Sequence, residues 1–104
     1  QGGYDHCMVL AEEGDHLKEF AYVTESKTGR TMRVSTTMEA VQFYSGNHLD
    51  GTDKARDGNP YTQYAGFCLE TQHYPDAVNH AHFPSSLVYP GETYKHTTLF
   101  EFNV

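Results

Sequence analysis

The chain contains no tryptophan and only two cysteines, Cys7 and Cys68. Two cysteines close at most one bridge, which is not the framework that staples small secreted domains. Two free thiols in a reducing compartment are expected. Basic residues are also scarce, with seven lysines and arginines against fourteen acidic residues and a net charge of −7 with histidine neutral. Binding a phosphate backbone requires clustered positive charge, so this balance argues against a nucleic-acid partner. It argues against an anionic membrane surface for the same reason. No apolar run approaches the roughly 20 residues that span a bilayer, and no signal-peptide pattern opens the chain. Asn47, Asn59, Asn79 and Asn103 all lack an Asn-x-Ser/Thr sequon. A cytoplasmic, unglycosylated protein is the expectation, with no nucleic acid and no membrane among its partners. Gln1 is not an initiator methionine, so a preceding segment is expected.

Helical periodicity is missing as well, and so are internal repeats, low-complexity tracts and any domain boundary. What remains is β. Its 104 residues suit one small domain or a piece of a larger one, and 38% apolar with 13% aromatic residues supply a modest core. In residues 30–37, Met32 and Val34 fall on one side and Arg33 and Ser35 on the other, the period of two of a half-buried strand. Phe20 to Thr24 is rich in aromatic and β-branched residues, and Glu25 to Gly29 suits a hairpin connection. Strands are expected over 6–11, 17–25, 30–37 and 40–45, arranged as an antiparallel meander. Residues 46–65, dense in Gly, Asn, Asp and Pro, form a long loop of the kind that is usually functional or disordered. Strand character returns at 67–71 and again at 94–104, where Thr98, Phe100, Phe102 and Val104 share a face. The expected fold class is all-β, an antiparallel β-sandwich.

Within that pattern a few residues stand out. Phe67, Leu69 and Thr71 share one face of their strand, and Cys68, Glu70 and Gln72 share the other. If the Phe67 face packs inward, Glu70 points into whatever lies opposite. Desolvation there raises a carboxyl toward the range useful for a general base. Gln42 and Tyr44 likewise lie opposite Val41 and Phe43, and an amide on a concave sheet face suits sugar hydroxyls. Asp5 follows Gly2 and Gly3, which permit close backbone approach to a ligand or simply make a turn. For Glu70 and Gln42 the alternative is an ordinary polar outward face. His80 and His82 lie on one side of an extended segment near His73 and Asp76, but this spacing matches no strong zinc pattern, so no metal is expected. Cys68 has no base beside it in sequence and is expected to be inert.

Several stretches together resemble one family. They are Gly3-Tyr4-Asp5-His6, the run Val41 to Gly51, the run Gly66 to Asn79 containing Phe67-Cys68-Leu69-Glu70-Thr71-Gln72, Phe83-Pro84-Ser85, and Pro90 to Thr98. Their order and spacing are similar to the C-terminal third of galactose mutarotases (aldose 1-epimerases), from Gly3 to the end. The resemblance implies that residues 1–104 are the C-terminal segment of a single β-sandwich domain of the galactose mutarotase type. It implies interconversion of α and β anomers of aldohexoses such as galactose and glucose, with no cofactor. Glu70 matches the catalytic base, Asp5 a sugar-hydroxyl-binding aspartate, and Gln42 a glutamine lining the same cleft. The family's acid histidine lies upstream of Gly3-Tyr4-Asp5-His6, and none of the seven histidines here matches it. A non-catalytic carbohydrate-binding module is the alternative function, and a structural β-domain completed by a partner is a third.

Overall fold

The computed structural model describes residues 2–104. Six strands are found among them: β1 (Asp5–Val9), β2 (Lys18–Thr24), β3 (Thr31–Thr36), β4 (Ala40–Tyr44), β5 (Cys68–Gln72) and β6 (Thr98–Asn103). They form two antiparallel three-stranded sheets, ordered β1-β4-β5 and β2-β3-β6. One 3-10 turn, Ala77–Asn79, is the only helical element among the described residues. The expected all-β sandwich class is therefore what the chain adopts.

The expected meander is not. Only its β2–β3 hairpin forms, closed by the Glu25–Arg30 and Gly29–Glu25 backbone hydrogen bonds with Gly29 at a φ of 75°. β1 pairs with β4 rather than β2, placing Met8 beside Val41 and His6 beside Phe43. The chain crosses between sheets over only three residues, Thr37 to Glu39. Met38 is buried at this corner, its N–H donating to Thr36 Oγ1. Period-two alternation identifies faces but carries no information about partners, so adjacency in sequence was a poor guide.

The two sheets turn their apolar faces toward each other. Met8, Val41, Phe43 and Leu69 of one sheet and Phe20 and Val23 of the other line an apolar cavity of about 270 Å³. A register irregularity between Glu19 and Ala21 lets Phe20 and Ala21, consecutive in sequence, both reach it. At one end the sheets are tied by hydroxyls, since Thr98 Oγ1 lies 2.8 Å from Thr71 Oγ1 and 3.0 Å from Thr36 Oγ1. The compact core is small: Val34, Met38, Ala40, Val41 and Ala77.

The last strand begins later than expected. At Thr97 the ladder is only half continued, since the Thr37 N–H donates to the Thr97 carbonyl but the Thr97 N–H turns to Thr37 Oγ1 instead of the backbone. From Thr98 onward the expected face holds, with Thr98, Phe100 and Phe102 opposite Thr36, Val34 and Met32. Phe100 and Phe102 are nevertheless exposed, Phe102 at 76%. An apolar strip on β6 is thus left uncovered.

Candidate active site

The β1-β4-β5 sheet has one polar face, and its register brings the chosen residues together. Cys7, Gln42 and Glu70 form one cross-strand row, and Asp5, Tyr44 and Cys68 form the next. Gln42 Nε2 donates to Asp5 Oδ1 at 2.8 Å across the diagonal of these rows. Glu70 is the direct neighbour of Gln42 on β5. The opposite face carries Val41, Phe43, Leu69 and Thr71, as the alternation required.

Of the two surroundings left open for Glu70, the chain shows the outward-facing one. Glu70 and Asp5 are exposed and Gln42 is half-buried, because none of the described residues covers the polar face. Cys68 is the perturbed group there. Cys68 is exposed, yet desolvation by its neighbours pushes its thiol pKa up, and the Glu70 carboxylate beside it adds to the shift by charge and hydrogen bonding. A thiol held protonated is a poor nucleophile, which agrees with the inert role expected of it. Both cysteines are free, and Gln72 Nε2 lies 3.5 Å from Cys7 Sγ.

Gly3 permits a close approach, but to its own chain. A Cβ on Gly3 would sit 2.1 Å from Asn47 Oδ1 and 2.6 Å from Ser45 Oγ. Residues 45–47 therefore press against the strand entry that presents Asp5. Neither Ser45 nor Asn47 was legible as a site residue, the length of the loop being the one signal.

His80 and His82 act locally. His80 Nε2 lies 3.3 Å from Asp76 Oδ2, and the His82 ring packs against Phe83. His73 Nδ1 meets Glu39 Oε1 at 2.6 Å. No group of three or more metal-ligating side chains is assembled among the described residues. No helix among them is long and apolar enough to cross a membrane.

Fold and face together define an all-β protein with two carboxylates and an amide gathered on one open sheet surface. The chain belongs to the aldose 1-epimerase family, whose model matches residues 1–101. It is 52% identical over 103 residues to galactose mutarotase of Bos taurus, covering 98% of this chain and 30% of that protein. The human galactose mutarotase is 50% identical over 103 residues, with the same coverage of each. Aldose 1-epimerase of Escherichia coli strain K12 is 39% identical over 102 residues, covering 96% of this chain and 29% of that protein. The chain thus spans about 30% of the length of the curated relatives it matches.

Proposed function

We propose that residues 1–104 are the C-terminal segment of a single aldose 1-epimerase domain that interconverts the α and β anomers of aldohexoses such as galactose and glucose. The observation that carries this reading is the placement of Glu70 directly opposite Gln42, with Gln42 hydrogen-bonded to Asp5, on one open sheet face. Glu70 is the general base that takes the proton from the C1 hydroxyl. The C1–O5 bond then breaks, O5 accepts a proton from an acid, and an aldehyde forms. Rotation about C1–C2 presents its other face, and the same steps in reverse close the ring. Asp5 and Gln42 hold sugar hydroxyls, which suits a carboxylate and an amide with fixed hydrogen-bonding directions. The family resemblance assigns the acid to a histidine in the preceding part of the domain. That part also supplies a cover for Phe100, Phe102 and the inter-sheet cavity, which this chain leaves open. Two free thiols fit a cytoplasmic place in galactose metabolism.

The test is a chimera in which this chain replaces the matching 103 residues of the bovine relative. Polarimetry on freshly dissolved α-D-galactose should show acceleration over buffer. Glu70→Gln should cut it by about 10²–10⁴-fold, the usual worth of a general base. A folded chimera without acceleration would sink the catalytic reading. Galactose binding without turnover would favour the second reading, a carbohydrate-binding face.

A further inference from the structure

The loop joining β4 to β5 makes most of its ordered contacts with itself and with the entry of β1. Asn47 is its anchor, a polar side chain only 4% exposed. Its Nδ2 donates to the Tyr4 carbonyl at 2.8 Å, and its Oδ1 accepts from Ser45 Oγ at 2.5 Å. Ser45 Oγ in turn accepts from the Tyr4 N–H at 2.9 Å, and the Ser45 N–H donates to the Tyr4 carbonyl at 3.1 Å. The far end of the loop closes the arrangement. Gln63 Nε2 donates to the Asn47 carbonyl at 2.9 Å, the Tyr64 N–H donates to the Gly46 carbonyl at 3.0 Å, and the Tyr64 hydroxyl reaches the Gly2 carbonyl. Both backbone polar groups of Tyr4 are therefore held by Ser45 and Asn47, one residue before Asp5.

An exposed carboxylate at the first residue of an edge strand has little else to fix it. β1 is the outer strand of its sheet among the described residues, and the ends of edge strands are among the first places to open locally. The Gln42–Asp5 hydrogen bond requires the Asp5 backbone to stay in register with Tyr44. We propose that Asn47 is a positioning residue for Asp5, locking the Tyr4 backbone so that the Asp5 carboxylate is held at Gln42 and presented to a sugar hydroxyl. This rests on the role proposed above for Asp5 in sugar binding. It assigns the long loop a task as the brace of that carboxylate.

The test reads the brace without any sugar. In the bovine chimera, the Gln42 side-chain amide resonances are followed by ¹H–¹⁵N NMR, with Asp5→Ala as the reference for the broken hydrogen bond. Asn47→Ala should move the Gln42 resonances most of the way to the Asp5→Ala position, while cross-strand contacts between Val34 and Phe100 and between Val41 and Thr71 persist. The double variant should shift no further than Asp5→Ala alone. If Asn47→Ala fails to fold, Ser45→Ala, which removes the other half of the brace, is read in the same way. Unshifted Gln42 resonances in a folded variant would overturn the proposal, whether or not the chain turns over sugar. In the bovine chimera, Asn47→Ala should raise KM for galactose about tenfold with kcat retained, as loss of an oriented hydrogen bond does. A fall in kcat at unchanged KM would count against it.

Discussion

His73 Nδ1 and Glu39 Oε1 meet at 2.6 Å at the point where β4 begins and β5 has just ended. Ala40 and Gln72 are the last register pair of these strands, so His73–Glu39 continues the ladder by side chains. The His73 ring also packs edge-on against Tyr94 and His96, and His96 Nδ1 lies 3.1 Å from Thr37 Oγ1. The pair therefore joins the sheet that carries Glu70 to the corner that leads from the other sheet. Each side chain is about 21% exposed, so removing one leaves its partner largely cut off from water. His73→Ala should cost about 1–3 kcal/mol in urea unfolding. A loss indistinguishable from that of an exposed histidine such as His16 would contradict this.

The Cys68 thiol reports on Glu70. Desolvation by its neighbours first, and then the negative charge of Glu70, disfavour the thiolate. In a Cys7→Ser background, alkylation of Cys68 by iodoacetamide should require a higher pH than alkylation of an unperturbed cysteine. Glu70→Gln removes the charge and should shift the rate profile to lower pH. An unchanged profile would mean that the two groups do not face each other.

Glu25 caps the β2–β3 hairpin. Its carboxylate accepts from the Thr28 hydroxyl and from the Lys27 and Thr28 N–H groups at 2.5–2.8 Å, which together hold it below the usual carboxylate range. A depressed carboxyl stabilises the fold fully above its unfolded value of about 4.3. That contribution is lost as pH falls through the lower folded value. Glu25→Gln should therefore lower the melting temperature near pH 7, with the difference from wild type closing as the pH approaches about 2. A constant difference at both pH values would refute the linkage.

Gly3 has no room for a methyl group. Placing a Cβ 2.1 Å from Asn47 Oδ1 forces the strand entry or the loop to move. Gly3→Ala should destabilise the chain by about 1–3 kcal/mol, as overpacking does. Gly58 has a φ of 85° but nothing within 4 Å, so its alanine variant should show only the backbone cost of a positive φ. Chemical denaturation of the two variants side by side separates steric from conformational loss. Equal costs would remove the close approach as an explanation.

Phe102 projects from β6 with none of the described residues over it. Phe102→Ser should change unfolding free energy by no more than about 0.5 kcal/mol, as expected of an exposed position. The same substitution should reduce binding of a dye that reports exposed apolar surface. A large stability loss would show that the strip is already packed within this chain.

Sequence by itself determined which faces exist. Alternation placed Gln42 and Tyr44 on one side of their strand and Val41 and Phe43 on the other, and did the same for Glu70 against Leu69 and Thr71. Period two is a property of an extended backbone and needs no partner to be read. The turn at Glu25–Gly29 was legible for the same reason, since its bonds are made within six residues. The family was legible because the motifs around Asp5, Gln42 and Glu70 stand in their own chain order.

Tertiary structure alone decided who pairs with whom. Placing β1 beside β4 across some thirty intervening residues is what brings Asp5 within 2.8 Å of Gln42, and no local pattern encodes that choice. The late start of β6 was settled by Thr37, the brace at Tyr4 by Asn47, and the strand junction by Glu39 and His73, all through contacts between segments distant in sequence. Burial depends on what lies across from a face, and a strand's own residues specify only which way a side chain points.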